Sequence, residues 1–169
     1  MYPRFLSSQR QWLVVAFLAF VASFTDLHAE TLRGVVIGLA DGDTMTLLDS
    51  AKVQYKIRLS GIDAPEKRQP FGNRSKENLS ALAFGQQVVI EWGKTDRYGR
   101  IIGKVLVNGR DAGLEQIRCG LAWHYKAYMR EQSATDRALY SAAEVEARSA
   151  KRGLWGEQGP MPPWEFRRR

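Results

Sequence analysis

The sequence predicts an α+β fold, with five short strands closing into a small Greek-key β-barrel beside about three α-helices. Three observations carry this. Runs rich in Val, Ile, Leu and Thr recur five times, the composition of strands. Residues Val53–Ser60 alternate, with Val53, Tyr55, Ile57 and Leu59 on one face and Gln54, Lys56 and Arg58 on the other, as a half-buried strand does. The order reads three strands, a helix, two strands and two helices, which fits a barrel of the OB type. Closure removes the sheet edges that would otherwise stay unpaired.

Each element has a local cause. The first two strands, Thr31–Ala40 and Thr44–Leu48, flank Asp41-Gly42-Asp43, a turn signal. Asn73–Phe84 carries Leu79, Leu82 and Ala83 on helical spacing and is followed by Gly85, a helix stop. Gln87–Trp92 and Ile101–Val107 are the last two strands, and Asn108-Gly109 turns the chain after them. Asp111 caps a short helix that runs to Cys119 and stops at Gly120. Ser133, with Asp136 three residues on, opens a longer helix to about Arg152, stopped by Gly153. Cys119 lies near Leu114, Ile117 and Leu121 and reads as a buried structural thiol.

Composition narrows the chemistry. The chain has 169 residues and one Cys, which excludes an internal disulfide framework and any multi-cysteine metal site. Two His exclude a three-histidine site. The 25 basic against 18 acidic side chains leave a net charge of +7, which favours a polyanionic partner, nucleic acid or an anionic membrane.

The first 29 residues read as a signal peptide. Arg4 and Arg10 precede a 13-residue apolar run, Trp12–Phe24, shorter than the roughly 20 residues that span a bilayer. Ala29 is the small residue before the expected cut. Cleavage there removes Arg4, Arg10 and Asp26 and leaves a net +6 on residues 30–169. The expected organisation is a signal peptide over 1–29, a globular domain over 30–156 and a Pro- and Arg-rich tail over 157–169. The tail holds Pro160, Pro162 and Pro163 and ends in Arg167-Arg168-Arg169. The product is expected to be secreted or periplasmic. With its apolar run removed, it is expected to have no stable membrane association.

Three loops hold the chemistry. They are Asp41-Gly42-Asp43-Thr44, the stretch Arg58-Leu59-Ser60-Gly61-Ile62-Asp63-Ala64-Pro65-Glu66, and Lys94-Thr95-Asp96-Arg97-Tyr98-Gly99-Arg100. Asp43 and Asp63, from separate loops, can meet on a hard cation of the Ca²⁺ type. Arg58 and Arg100 offer two bidentate forks to one phosphate. Taken one at a time, such residues serve equally as turn formers or solvated surface groups.

As an ordered set the loops resemble the staphylococcal-nuclease-like (thermonuclease) family. The resemblance runs from about Thr31 to Trp155. It takes in Gly120-Leu121-Ala122 and Arg152-Gly153-Leu154-Trp155. It implies a phosphodiesterase that cleaves DNA and RNA with little sequence preference and leaves 3′-phosphate ends, and it suggests a monomer. By that resemblance Arg58, Glu66 and Arg100 are catalytic, with Glu66 as the base. Asp43, Asp63 and the backbone carbonyl of Ala64 would hold Ca²⁺. The family's best-known member has Thr where Ala64 stands, so hydroxyl contacts to bound water would be lost here. Asp41 would support the metal without being a main ligand. Tyr98 matches the tyrosine that contacts the nucleotide phosphate. Tyr125 and Tyr128 fall where the family places aromatics near base and phosphate, and either can serve. Aromatics at these positions also pack a barrel against its helices equally well. Lys67, Arg68, Arg74, Lys94, Arg97 and Lys126 would lay an electrostatic track for the polynucleotide. The competing function class is a non-catalytic nucleic-acid-binding OB module, and a third is a basic envelope protein.

Overall fold

A computed structural model describes residues 30–169; the signal peptide expected over 1–29 lies outside the described residues. In chain order the strands and helices are β1 (Glu30–Leu39), β2 (Thr44–Leu48), β3 (Gln54–Leu59), β4 (Ile62–Asp63), α1 (Gly72–Ala83), β5 (Gln87–Thr95), β6 (Ile101–Val107), β7 (Arg110–Asp111), α2 (Ala112–Arg118), β8 (Trp123–His124), α3 (Ala134–Ser149) and α4 (Pro163–Phe166). The five expected strands are β1, β2, β3, β5 and β6. The sheet runs β3-β2-β1-β5-β6-β7, and a further β3–β6 pairing closes it into a barrel. That closing pair is parallel, with Arg58 opposite Ile102, while β1–β2, β2–β3, β1–β5 and β5–β6 are antiparallel. Register shifts in β1 between Val36 and Gly38, and in β5 between Trp92 and Lys94, add the bend and twist that closure requires.

The barrel interior follows the alternation in the sequence. Val36, Met45, Leu47, Ile57, Leu59 and Ile90 are buried, each adding about 1.5–3 kcal/mol by leaving water. Helix α2 packs against α1, α3 and β6. Both expected caps form. The Asp111 carboxylate accepts from the Gly113 and Leu114 amides, and the Ser133 hydroxyl accepts from the Asp136 amide. No helix among the described residues is long and apolar enough to cross a membrane.

One buried amide ties the helices to the Asp41–Thr44 turn. Gln116 Nε2 donates to the Gly42 carbonyl at 2.6 Å and to the Ser75 carbonyl at 2.9 Å, while its Oε1 accepts from Asn78. Losing it leaves the Gly42 carbonyl without this partner, at about 1–3 kcal/mol. The approach is close because position 42 has no side chain. A Cβ there would fall 1.8 Å from Ser75 Oγ. Sequence thus holds the turn that carries Asp41 and Asp43 against α1 and α2.

One expectation changes, and one element is new. Cys119 is exposed, not buried: it stands just past the last residue of α2, off the face that Leu114 and Ile117 bury. A short antiparallel ladder, β4 with β8, pairs Asp63 with Trp123 and had no counterpart in the sequence pattern. In addition, the C-terminal segment packs back on the domain. Pro163 is buried and Trp164 lies against Trp123 and Tyr125.

Candidate active site

The strands deliver the charged residues to one end of the barrel. Thr44 and Arg58 are register partners across β2 and β3, so Arg58 stands beside Asp43. Asp63 comes from β4, which follows β3 after a tight turn. Arg58 Nη1 pairs with Asp43 Oδ2 at 2.9 Å, and its Nη2 with Asp63 Oδ1 at 2.9 Å. One guanidinium therefore bridges two buried carboxylates. The Ala64 amide also donates to Asp43 Oδ2, at 2.8 Å. Asp43 Oδ1 accepts from the Thr44 hydroxyl at 3.0 Å.

Arg100 reaches the same place from the β5–β6 turn. Its Nε and Nη2 both bond Asp96 Oδ2 at 2.7 Å, and its Nη1 approaches Thr44 Oγ1 at 3.4 Å. Burial pushes the Asp96 carboxyl up, but hydrogen bonds from the Arg100 and Tyr98 amides and the Arg100 side chain hold it below the ordinary value. Asp96 therefore stays ionised and orients Arg100. Glu66 follows Pro65 in the loop before α1, and its amide donates to Gln69 Oε1 at 3.1 Å.

The acids crowd one another. Asp41 Oδ1 accepts from the Asp43 amide at 3.0 Å. Burial, then the nearby Asp43 charge, pushes the Asp41 carboxyl up to about 6. Burial also raises Asp63, against the lowering effect of Arg167 and Arg58. The site thus holds more carboxylate than its low-dielectric surroundings favour.

The tyrosines divide. Tyr98 is 68% exposed, with the Arg100 guanidinium 5.6 Å from its ring centroid and that of Arg97 at 4.9 Å. Tyr125 stacks on Trp164 at 5.4 Å and lies 5.2 Å from Tyr128. Tyr125 also lines a cavity of about 620 Å³ with Trp123, Trp155, Trp164 and Arg148. Tyr128 is half exposed, with Lys94 Nζ over its ring at 5.3 Å. The structure therefore brings Asp41, Asp43, Arg58, Asp63, Ala64, Glu66 and Arg100 together, sets Tyr98 on their rim, and places Tyr125 and Tyr128 in an aromatic patch beside the C-terminal segment. His124 is buried and hydrogen-bonded to Gln132 and Ser141, a structural position.

Three participants were not singled out from sequence. Thr44 links Asp43 to Arg100. Asp96, whose Oδ1 accepts from the Tyr98 and Arg100 amides, was legible as an Asp opening a turn four residues before an Arg. Arg167 bonds Asp63 and Glu66 from the far end of the chain, and an Arg in a basic run gives no local signal for that.

Comparison with known proteins agrees with this geometry. A family model described as Staphylococcal nuclease homologue matches residues 56–157. An Escherichia coli protein named "Uncharacterized endonuclease" is 39% identical over 156 residues, covering 92% of this chain and 97% of its own. A Shigella flexneri "Micrococcal nuclease" is 37% identical, covering 80% of both chains. The Arabidopsis thaliana "Staphylococcal-like nuclease CAN1" is 35% identical over 83% of this chain and 42% of its own. A closed barrel with acids and arginines converging from three loops, and relatives of this kind, define a thermonuclease-type hydrolase. The chain belongs to the staphylococcal nuclease homologue family.

Proposed function

We propose that the chain is an exported, Ca²⁺-dependent phosphodiesterase that hydrolyses DNA and RNA with low sequence specificity and leaves 3′-phosphate ends. The observation that carries this is the meeting of Asp43, Asp63 and Glu66 with Arg58 and Arg100, all delivered from separate loops to one end of the barrel. A non-catalytic binding module has no need for Glu66 between such a pair of acids and two arginines.

The donor set fits a hard cation. Asp43 and Asp63 offer only oxygens, and each keeps one oxygen with a single hydrogen-bond donor, Asp43 Oδ1 and Asp63 Oδ2. Among the described residues no three acidic, His or Cys side chains form a metal cage. By the family resemblance two carboxylates, the Ala64 carbonyl and water are the expected ligands, a mixture that Ca²⁺ accepts. Bound there, Ca²⁺ supplies Lewis-acid polarisation and a template for the phosphodiester.

The protein's own groups supply the rest. Arg58 and Arg100 bind non-bridging phosphate oxygens and offset charge as phosphorus becomes five-coordinate. Glu66 accepts a proton from water as its oxygen bonds to phosphorus. The bond from phosphorus to the 5′ oxygen breaks, and that oxygen takes up a proton from solvent water as it leaves. Tyr98, beside Arg100 and exposed, is placed to contact a phosphate. Tyr125 and Tyr128 offer ring faces, which bind unstacked bases with little sequence demand. Single-stranded substrate is therefore expected to be cleaved faster than duplex.

The test is incubation of the mature chain with single-stranded DNA, with Ca²⁺ or with EGTA. Cleavage in Ca²⁺ alone, with 3′-phosphate ends, is expected. Tight binding without cleavage would overturn the proposal in favour of a binding module. Export rests on the residues before Glu30. N-terminal sequencing of protein recovered outside the cytoplasm is expected to begin at Glu30, and recovery of the intact chain in the cytoplasm would reject export.

A further inference from the structure

We propose that Arg167, in the C-terminal segment, is a positioning residue of the active site that fixes the carboxylate of Glu66 relative to Asp63. The inference rests on the nuclease reading of that site and adds a residue beyond 157, where the family match ends.

The contacts are specific. Arg167 Nη1 donates to Glu66 Oε1 at 2.6 Å and to Asp63 Oδ1 at 3.2 Å, and its Nη2 donates to Asp63 Oδ2 at 2.7 Å. One planar fork thus spans a buried acid and a half-exposed one, a task for which guanidinium geometry is suited and a lysine ammonium is not. Glu66 needs such a partner. Its side chain is 37% exposed in a loop, and among the described residues no other side chain bonds its carboxylate. Left alone, a carboxylate on a loop samples several rotamers, and a reacting group misplaced by about 1 Å can lose about 10²-fold in rate.

The segment that carries Arg167 is anchored independently of that contact. Trp164 stacks on Tyr125 with ring centroids 5.4 Å apart and planes 24° apart, and meets Trp123 edge-on at 6.4 Å. Pro163 is buried. Gln69 joins the two sides: its Oε1 accepts from the Glu66 amide, and its Nε2 donates to the Met161 carbonyl at 2.5 Å. A detachable plug would hang on the arginine contact alone. Here aromatic packing and a hydrogen bond from the Gln69 side chain to the Met161 carbonyl hold the segment, so the guanidinium is presented to the acids by a fixed element.

Charge follows the same logic. Asp43 and Asp63 flank Arg58, and Arg167 adds a second cation that joins Asp63 to Glu66. Asp63 Oδ2 keeps a lone pair beyond its bond to Arg167, so the contact leaves that oxygen able to accept another partner.

The experiment compares wild type, R167A and R167K. Steady-state cleavage of single-stranded DNA in Ca²⁺ is measured together with thermal unfolding. In R167A, kcat is expected to fall about 10- to 100-fold, as when a group supporting a reactive site is lost, with KM within about threefold and the protein still folded at the assay temperature, its unfolding midpoint lowered by loss of the pair with buried Asp63. R167K, able to satisfy one acid at a time, is expected to fall between the two. A second readout needs no turnover. In ¹³C-labelled, metal-free protein the Glu66 carboxylate resonance, identified by its loss in E66Q, is expected to move in R167A. An unmoved resonance, an unchanged kcat, or a kcat that rises as a released plug would allow, each overturns the proposal. A wild-type chain that cleaves nothing sinks the nuclease reading and the positioning role with it. Normal cleavage by R167A sinks the positioning role alone.

Discussion

Replacing Glu66 with Gln is expected to lower kcat on single-stranded DNA by about 10²- to 10⁴-fold, the range that a positioned general base contributes. The substitution is close to isosteric. Gln keeps a side-chain oxygen that can accept from Arg167 Nη1, which lies 2.6 Å from Glu66 Oε1. It keeps the loop, because the Glu66 amide, not the side chain, bonds Gln69. What it removes is the capacity to take a proton from water. KM is therefore expected to stay within a few-fold, since phosphate binding is assigned to Arg58 and Arg100. The side chain is more than a third exposed, so the urea midpoint is expected to match wild type. Steady-state kinetics with a parallel urea titration reads both. Turnover within a few-fold of wild type would remove Glu66 from the role of base. A loss of turnover accompanied by a lowered midpoint would instead mark it as structural.

The residues most legible in sequence were those whose role is local. Ile57 and Leu59 alternate with Arg58 in the chain, so one strand puts two side chains in the core and one at the site. Asp111 and Ser133 cap helices because the amides that donate to their side chains lie two or three residues on. The acid–arginine loops were legible as an ordered set. What was not legible depends on chain segments that meet only after folding. The β4–β8 ladder has two residues on each side, too few to show a period, yet it sets Trp123 beside Asp63. Cys119 sits in an apolar neighbourhood of sequence, but the helix ends one residue before it and leaves it outward. The C-terminal segment reads as Pro breaks and a basic run, which in isolation is solvated. Its burial follows from Trp164 finding Tyr125 and Trp123, and that contact brings Arg167 to Asp63 over more than a hundred residues of chain. The same aromatic contact explains why Tyr125 lies beside the C-terminal segment.

Replacing Arg58 with Ala is expected to damage both the fold and the reaction, and Ca²⁺ separates the two effects. The guanidinium stands 2.9 Å from Asp43 and 2.9 Å from Asp63, with side-chain exposures of 14%, 7% and 1%. Removing it leaves two like charges facing each other out of water. Breaking a buried ion pair from one side costs about 3–5 kcal/mol, so the metal-free variant is expected to unfold at a clearly lower urea concentration. Arg167 still pairs with Asp63 and keeps the loss from being larger. A cation held between Asp43 and Asp63 opposes the same repulsion, so added Ca²⁺ is expected to raise the midpoint of R58A more than that of wild type. Stability recovered in this way does not restore the fork proposed to bind the phosphate. Activity in saturating Ca²⁺ is expected to remain about 10²- to 10³-fold below wild type, as when a donor to a developing oxyanion is deleted. R58K, with one ammonium for two carboxylates, is expected to recover part of the stability and little of the activity. Equal urea midpoints for R58A and wild type without metal would show that the bridge adds nothing to the fold. Equal Ca²⁺ increments in the two proteins would remove Asp43 and Asp63 as a shared cation site.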